Sequence, residues 1–502
     1  MGDALLNDLS RFLPELALTA TFLVAILVDL MFRRSPIPVA AVVMAGLIVS
    51  GLLVLGQSGL SASLFTQMLA VDSFAVFFKL LIILTAILIV VFSLMSQELA
   101  AGGRRVGEYY FLLVALTLGM TLMAGATNLL MIYLAVELSS LTSYVLSGYT
   151  KESPDSSEAS LKYLIYGALS SGLMLYGMSI LYGLTDTLSI YTLNRELPAI
   201  LAAGGSGSYA VLIAGVLILA GFGYKISAVP FHFWAPDVYE GAPITITAFL
   251  AVASKAAGFA LLMRFFKVTF IDTSAVALPA GAWATMQGVE WTTILAVLSV
   301  VTMTVGNLIA IWQNNLKRLL AYSSIAHAGY MLMGVVVLNN EGLAAVMLYF
   351  VVYLFMNLGA FLCVMLIADK TGSEDIEEYK GLGSRTPFLA VAFTIFLVSL
   401  TGIPPTAGFI GKLYLFAALI NHGWVWLAIV GAINSVVSLY YYLRIVRNMF
   451  LRPGDESQSA IAFGSLQMAT VLVLLVPTLL FGLYFSPLSR LAQASVQIFG
   501  TP

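Results

Sequence analysis

The sequence predicts an all-α polytopic membrane protein with about fourteen transmembrane helices. Hydrophobic residues make up 60% of the 502 residues and charged residues only 10%, whereas soluble domains carry about 25% charged residues. Apolar runs of roughly 20 residues, long enough to cross a bilayer as a helix, recur along the whole chain. No alternating pattern of β-barrel type is visible, so helices must satisfy the backbone inside lipid.

These apolar runs define fourteen predicted spans. They are 13–32, 37–56, 71–95, 108–126, 128–148, 160–184, 209–231, 243–267, 290–311, 319–338, 342–368, 387–421, 424–447 and 466–485. The seventh and the twelfth contain proline, which removes a backbone hydrogen bond and kinks or breaks a helix. We therefore expect two discontinuous helices, whose freed backbone groups face protein or water.

Positive charges are distributed unevenly among the loops. Loops after odd-numbered spans contain Arg33, Arg34, Arg104, Arg105, Lys151, Lys317, Arg318, Lys370, Lys380, Arg385 and Arg452. Loops after even-numbered spans and the two tails contain only Arg11, Arg195 and Arg490. The positive-inside rule therefore places the odd-numbered loops in the cytoplasm and both termini on the non-cytoplasmic side.

Composition also excludes some functions. A net charge of −2 provides no basic face for nucleic acid. Cys363 is the only cysteine, so the chain cannot supply the usual four thiolate ligands of an iron–sulfur cluster. Any electron transfer must then take place on partner chains, and we assign no cofactor or metal to this one.

The most informative residues are charges deep within the spans. Glu137 is the only acidic residue near the middle of a span, and Lys225, Lys255 and Lys412 also lie well inside spans. Each such charge costs roughly 2.5–3.5 kcal/mol to insert, so a compensating role is expected. A lysine can also snorkel or pair with a carboxylate as a structural link, and this alternative applies most to the shallower Lys79.

Lysine rather than arginine at these depths favours proton transfer. Arginine is effectively always protonated, whereas burial disfavours the charged form of lysine and lets it release a proton. Glu137 needs a partner, and we favour Lys225: the nearby carboxylate keeps Lys225 protonated, and separation of the pair lets the proton move on. Lys162, about one turn into the sixth span, is a further candidate for the relay.

Two histidines complete the candidate relay. His232 follows Pro230 in the broken seventh span, and His327 lies inside the tenth. Histidine titrates near neutrality and can shuttle protons, although a hydrogen-bonded structural histidine is an equally valid interpretation. His422 lies at a helix end and is expected to be interfacial.

The two discontinuous helices lie five spans apart, which predicts an internal repeat. Asn128 and Tyr133 open the fifth span, and Asn315 and Tyr322 stand likewise at the tenth. A repeated unit of five helices inserts upside down the second time, so spans 4–8 and 9–13 form an inverted repeat. The predicted segments are 1–107 with three helices, 108–267 and 290–450 with the two repeats, and 451–502 with the last span.

Several of these stretches together resemble a known family, the antiporter-like membrane subunits of respiratory complex I. The most specific runs are Tyr224 to Pro243 (YKISAVPFHFWAPDVYEGAP), Ser254-Lys255, Ser323 to His327 (SSIAH) and Gly402 to Lys412 (GIPPTAGFIGK). The opening Leu13-Pro-Glu-Leu, with Asp29, resembles the N-type branch of that family. M-type subunits have glutamate where Lys412 stands.

The resemblance implies a role in a proton-translocating NADH–quinone oxidoreductase of the bacterial inner membrane. FMN, iron–sulfur clusters, NADH and quinone would be bound by partner subunits. The partners implied are the M-type subunit, the small subunits K and J, the A and H side of the membrane arm, and the lateral helix of the L-type subunit.

The resemblance also assigns roles to residues. Glu137 and Lys225 would form the pair of the fifth and seventh helices, and Lys255 would be the central relay lysine. Protons would come from the cytoplasm, pass Lys225, water, His327 and Lys255, and leave past Lys412.

Three alternatives stay open. A subunit of a multisubunit Na⁺/H⁺ antiporter or of a membrane-bound hydrogenase would share the fold and motifs. A solute transporter would bind a substrate at the midplane. A passive scaffold would need the deep lysines for assembly only.

Overall fold

The computed structural model describes residues 2–32, 35–101, 106–272, 281–288, 290–454 and 460–500. Arg33, Arg34, Arg104 and Arg105, which contribute to the predicted orientation, lie outside the described residues. The described part is almost wholly helical and includes one two-stranded antiparallel hairpin, formed by β1 (Ala62–Leu64) and β2 (Leu69–Val71).

Thirteen helical segments of the described chain are long and apolar enough to cross a membrane. They are α2 (Leu13–Met31), α3 (Ile37–Leu55), α4 (Ser73–Met95), α6 (Gly107–Gly125), α7 (Leu129–Ser147), α8 (Pro154–Thr185), α10 (Ser206–Ile226), the continuous segment of α12 and α13 (Ile244–Thr269), α14 (Trp291–Ala310), α15 (Leu316–Val336), α16 (Asn340–Thr371), α20 (Val425–Leu451) and α21 (Ser465–Leu483). Two shorter apolar helices, α18 (Pro387–Thr401) and α19 (Ala407–Asn421), together occupy the predicted twelfth span. The predicted set of fourteen spans is therefore confirmed.

The remaining described helices are short or lie outside the predicted spans. They are α1 (Gly2–Arg11), α5 (Gln97–Ala100), α9 (Ile190–Ala203), α11 (Trp234–Gly241), α17 (Leu382–Arg385) and α22 (Ser486–Ala494). Helix α9 occupies a segment that the sequence pattern indicates only as a polar loop. Within the eighth span, α12 (Ile244–Phe249) and α13 (Lys255–Thr269) are joined by a π-helical turn, Leu250–Ser254.

Polar side chains fix where several spans begin. Asp72, Asn128, Asn315 and Asn339 precede α4, α7, α15 and α16, and each side chain accepts a hydrogen bond from a backbone N–H in the first turn. These N–H groups have no partner within their own helix, and hydrocarbon offers none. The caps therefore let each helix begin at a defined residue.

The seventh and twelfth spans are discontinuous, as predicted, whereas α21 continues through Pro477. The seventh is divided into α10 and α11, and the twelfth into α18 and α19. The first half of each ends at a residue with a left-handed backbone, Ser227 (φ 60°) and Gly402 (φ 89°). A proline follows three residues later in both, Pro230 and Pro405. Because proline has no N–H to donate, the chain leaves the helix at these points.

The two halves of the chain repeat one arrangement. Helices α7 and α15 both follow an asparagine cap, the next helices α8 and α16 both contain 32 residues, and a broken helix comes after each. A Cβ atom at Gly119 of α6 or at Gly306 of α14 would lie 2.7 Å from a backbone nitrogen of the neighbouring helix, so both pairs cross closely at glycine. Each copy has five spans, so the repeat is inverted; the limits 108–267 and 290–450 stay predictions.

Both described ends of the chain lie on one face of the bundle, which we call the terminal face. Asp8 of α1 accepts a hydrogen bond from the Phe65 N–H at 2.9 Å. Beyond α22, the Phe499 N–H donates to Asp72 at 2.9 Å. The Asp72 carboxylate also receives two bonds, of 2.7 and 2.8 Å, from the buried Arg264 guanidinium. This ion pair joins α4, α13 and the C-terminal segment.

The first and third spans, α2 and α4, are linked to each other by a second buried ion pair. Lys79 Nζ lies 2.6 Å from Glu15 Oε1, and both residues are buried. Lys79 thus has a carboxylate partner on α2, which agrees with a structural role.

Candidate functional site

Three lysines and one histidine are buried inside the helix bundle. Lys225 of α10, Lys255 of α13, Lys412 of α19 and His327 of α15 are each no more than 3% exposed. We call these four residues the buried basic row. They come from both repeats, so the row crosses the boundary between the two halves of the protein.

Lys225 lies in the last turn of α10, just before the break. Its Nζ donates to Ser140 Oγ at 3.1 Å. Glu137 lies one turn before Ser140 on α7, is partly exposed, and has a buried Oε1 with no hydrogen-bond partner. Glu137 is within electrostatic range of Lys225, but the two residues do not form an ion pair. The structure therefore holds the predicted pair in a separated arrangement.

Lys255 directly follows the π-turn and reaches across to the second repeat. Its Nζ donates to the Ser324 carbonyl oxygen on α15 at 2.5 Å. On the other side, α13 packs against Lys225, because a Cβ at Gly258 would contact the Lys225 side chain at 3.4 Å. π-turns inside helices occur frequently at functional sites, and this one sets the direction of Lys255.

His327 lies one turn beyond Ser324 on α15. Its Nδ1 is 2.7 Å from Tyr349 Oη, and its Nε2 is 3.5 Å from Tyr442 Oη. The Tyr442 hydroxyl also bonds the Ser323 hydroxyl. His327 therefore joins a buried group of hydroxyls between Lys255 and Lys412 and has the hydrogen-bonded surroundings of a group that can pass a proton.

Lys412 follows the break in the second repeat and turns back toward it. Its Nζ donates to the Thr401 carbonyl at 2.7 Å, the Leu400 carbonyl at 3.2 Å and Ser435 Oγ at 2.8 Å. It also lies 4.5 Å from the ring centre of Tyr330, a cation–π distance. Three acceptors and one ring face thus surround the ammonium.

One face of α15 connects Lys255 to Lys412. Ser324, His327 and Tyr330 are spaced three residues apart, which places them on neighbouring turns of one face. Ser324 accepts from Lys255, and Tyr330 lies beside Lys412. The Tyr330 hydroxyl accepts a bond of 3.0 Å from Asn307. This face of α15 therefore places three polar side chains between the two lysines.

Three other buried cations of the described chain have carboxylate partners, whereas the lysines of the row have none. Lys79, Arg264 and Lys317 lie 2.6, 2.7 and 2.8 Å from Glu15, Asp72 and Glu374, respectively. No described carboxylate lies within 4.0 Å of the ammonium groups of Lys225, Lys255 or Lys412. A buried charge without a counter-ion is costly, so the presence of these three lysines is unusual.

The structure places Lys162 away from the row. Its side chain is 38% exposed and lies 2.7 Å from Glu158 and 2.6 Å from Asp237. Arg318 of the second repeat binds the same Asp237 at 2.6 Å. We call these residues, which line a polar cavity of about 300 Å³ on the face opposite the terminal face, the outer cluster: Glu158, Lys162, Asp237, Glu240 and Arg318.

His232 also lies outside the row. It is in the segment between α10 and α11, is buried, and packs against Phe233 with ring centres 4.5 Å apart. Its Nδ1 has no hydrogen-bond partner in the described part of the chain. The structure thus brings together four of the seven candidate residues, places Glu137 beside them, and separates Lys162 and His232.

Sequence reasoning missed the groups that hold the row. Ser140, Ser324 and Ser435 contact the three ammonium groups, and Tyr349 and Tyr442 contact His327. Serine and tyrosine are common in membrane helices, so no single one stands out. The only signal is their helical spacing, as in Ser323-Ser324-Ile325-Ala326-His327.

The described residues contain no group of three or more histidine, cysteine, aspartate or glutamate side chains suited to a metal ion. Cys363 is buried in α16 and is not part of a disulfide.

A polytopic bundle with an inverted repeat, two broken helices and buried lysines defines the class of antiporter-like membrane subunits. The family model for NADH:quinone oxidoreductase and Mrp antiporter transmembrane proteins matches residues 126–438. The fold is similar to that of a chain in the Mrp complex from Dietzia sp., with a TM-score of 0.80 at 22% identity, covering 97% of both chains.

Relatives with higher sequence identity show which family within this class the chain belongs to. NADH-quinone oxidoreductase subunit N 2 of Chloroherpeton thalassium is 49% identical, over 99% of this chain and 96% of the relative. Subunit N of Chlorobium chlorochromatii is 47% identical, over 97% and 95%. A chain of respiratory complex I from Thermus thermophilus is 32% identical, with a TM-score of 0.77, over 96% and 99%. The chain belongs to the NADH-quinone oxidoreductase subunit N family.

Proposed function

We propose that this chain is a proton-translocating membrane-arm subunit of an NADH–quinone oxidoreductase and that the buried basic row carries the protons. The observation that supports this most is that no described carboxylate lies within 4.0 Å of Lys225, Lys255 or Lys412, whereas the buried Lys79, Arg264 and Lys317 each have one. Without a counter-ion, burial favours the neutral amine, and an approaching negative charge restores the ammonium. Such a lysine can accept and release a proton in each cycle.

The order of transfer follows the contacts. Protons reach the row from the face that carries the outer cluster, pass from Lys225 to Lys255, follow Ser324 and His327 along α15, and leave past Lys412. The buried hydroxyls of Tyr239 and Tyr353 lie near Ser324 and form no hydrogen bond with described residues. Buried polar groups normally pair with protein or ordered water, so water is expected to complete this path.

The proposed orientation follows the loop charges. The outer cluster faces the cytoplasm, and the terminal face lies on the non-cytoplasmic side of a bacterial inner membrane. A proton that follows the row therefore leaves the cell interior.

Glu137 is the proposed control element. Its carboxylate lies near Lys225 without contact, so a small approach of α7 toward α10 would create an ion pair and hold the proton on Lys225. Withdrawal of α7 restores the separated arrangement and frees the proton for Lys255. The carboxylate thus controls when Lys225 gives up its proton, and it need not carry the proton itself.

The redox chemistry belongs to partner subunits. The relatives are named as subunits of NADH-quinone oxidoreductases, so NADH, FMN, iron–sulfur clusters and quinone are proposed to act elsewhere in the complex. The proposed neighbours are the M-type subunit, the small subunits K and J, the A and H side of the arm, and the lateral helix of the L-type subunit.

The test is to neutralise the central lysine in the assembled complex. Lys255→Gln is expected to lower NADH-driven proton pumping into vesicles at least tenfold, because Lys255 joins the two repeats. The matched control is Lys380→Gln, a lysine that is 36% exposed and pairs with Glu377 outside the row.

Normal pumping by assembled Lys255→Gln complex would refute the relay. A complex that moves Na⁺ without oxidising NADH would instead favour the sodium–proton antiporter alternative, whose known members share this fold.

A further inference from the structure

A fourth buried lysine of the described chain also lacks an ion pair, and it lies far from the row. Lys267 is in the last turn of α13 at the terminal face and is 3% exposed. Its Nζ lies 4.0 Å from the ring centre of Trp283 and 3.4 Å from Asn340 Oδ1. Neither neighbour is charged, and the nearby Asp72 is already bound by Arg264. Lys267 therefore adds an uncompensated positive charge at this place.

Lys267 lines a polar cavity of about 390 Å³. The other polar side chains of its wall are Ser61, Ser73, Asn340, Gln497 and Asp72, whose carboxylate is paired with Arg264, and the segment 496–500 forms one side. Hydroxyl and amide donors around a lysine suit an anion with several oxygen atoms. The cavity lies where α4 begins and α13 ends, at the depth of lipid headgroups if these helices span a bilayer.

An apolar groove of about 520 Å³ continues from this cavity. Gly59 and Ser73 line both. The groove follows α4 from Ser73 to Leu84, roughly 16 Å at a rise of 1.5 Å per residue. Its opposite wall consists of Val351, Leu354 and Phe355 of α16, with Leu491 of α22 above. Leu84 is 41% exposed and Leu491 50%, so the groove opens toward the surrounding membrane.

We infer that the polar cavity and the apolar groove together bind one anionic phospholipid. Lys267 holds the phosphate headgroup, and an acyl chain lies along α4 between α4 and α16. A free anion would fill the cavity but not the groove, and an uncharged lipid would leave Lys267 without a counter-ion. The bound lipid would join the N-terminal helices to the first and second repeats beneath α22.

The inference concerns lipid binding and is independent of the proton path. The experiment uses the intact detergent-purified complex, from which loosely bound lipid is removed. Native mass spectrometry then counts the phospholipid that remains, and phosphatidylglycerol, phosphatidylcholine or inorganic phosphate is added back in separate samples.

Two variants change the two parts of the site separately. Lys267→Gln removes the charge, and Leu84→Trp fills the groove from an exposed position. Their matched controls are Lys370→Gln, an exposed lysine at the other end of α16, and Leu94→Trp, a residue of α4 that is 47% exposed and outside the groove.

The expected result is a loss of at least tenfold in retained phosphatidylglycerol for Lys267→Gln and Leu84→Trp relative to their controls. Phosphatidylcholine should rebind poorly, and millimolar phosphate should not displace the bound lipid. Equal retention in variants and controls, displacement by phosphate alone, or a partner-subunit helix found in the groove would each overturn the inference. NADH-driven pumping by Leu84→Trp should stay normal, which separates this result from a failure of the proton relay.

Discussion

The two broken helices differ in which donors bind the carbonyl groups at the break. In the first, the carbonyl groups at the end of α10 are taken by neutral donors: Ala228 N–H binds the Gly223 carbonyl at 2.8 Å, and the Trp234 indole binds the Tyr224 carbonyl at 3.0 Å. In the second, backbone N–H groups of Gly402 and Ile403 also bind carbonyls of α18. The last two carbonyls, those of Leu400 and Thr401, instead accept from the ammonium of Lys412. Lys225 stands before its break and takes no part in closing it.

Because of this difference, we expect Lys225 and Lys412 to have different roles. The end of α18 carries the negative end of a helix dipole, which favours the Lys412 ammonium. Lys225 has Ser140 as its one described acceptor, so its charge depends on the position of Glu137. In the proposed relay, Lys412 is therefore both a structural part of its break and a step of the path, whereas Lys225 is the group that responds to Glu137.

The largest expected effect comes from replacing each lysine by methionine. Lys412→Met leaves the Leu400 carbonyl without its Lys412 donor and the Thr401 carbonyl with Ser435 Oγ only, and a buried group left unpaired costs about 1–3 kcal/mol. It should lower both the yield of assembled complex and pumping, by more than tenfold for pumping. Lys225→Met should lose pumping to the same degree and keep a normal yield. Thermal stability measures the effect on the assembled complex, and vesicle acidification measures pumping. Equal destabilisation by Lys412→Met and Lys225→Met would contradict the proposed difference between the two lysines.

A somewhat smaller effect is expected for Glu137→Gln. The amide has the shape of the carboxylate but no charge, so it removes the control of Lys225 and leaves the packing of α7 intact. Pumping per NADH oxidised should fall by about fivefold to tenfold, with normal assembly. Glu341→Gln, on the terminal face, is the control. Unchanged coupling in Glu137→Gln would contradict the proposed switch.

The smallest effects on pumping are expected for two serine substitutions, which test how Lys225 and Lys412 are held. Ser140→Ala removes the single described acceptor of Lys225, whereas Ser435→Ala leaves Lys412 with two carbonyl acceptors. One hydrogen bond to a charged group contributes about 1.5–3 kcal/mol. Pumping rates should therefore fall severalfold in Ser140→Ala and less than twofold in Ser435→Ala. The reverse order would show that the carbonyls do not anchor Lys412.

The parts of the site that sequence predicts are those where one residue conflicts with its surroundings. A lysine in an apolar run is costly wherever the helix packs, so Lys225, Lys255 and Lys412 are visible without coordinates. Proline at the breaks acts through the local backbone and is visible for the same reason.

The remaining features depend on contacts between distant segments. Lys162 looks like a relay lysine by its depth, but Asp237 and Glu158 hold it at the surface, and the first of these partners lies far along the chain. For Lys267 the error is the reverse, because its sequence position suggests exposure and the structure buries it. It stands at a span end, where a lysine normally reaches water, and only the packing of Trp283 and the C-terminal segment around it shows that it is buried.

The π-turn at Leu250–Ser254 has a consequence for three charged sites at once. An α-helix advances about 100° per residue, so the loss of one residue from this turn would rotate all of α13 against α12 by roughly that angle. Helix α13 carries Lys255, Arg264 and Lys267, which would rotate together with it. A change in winding at this turn would therefore have three effects at once. It would separate Lys255 from Ser324, break the ion pair of Arg264 with Asp72, and move Lys267 out of the proposed lipid site.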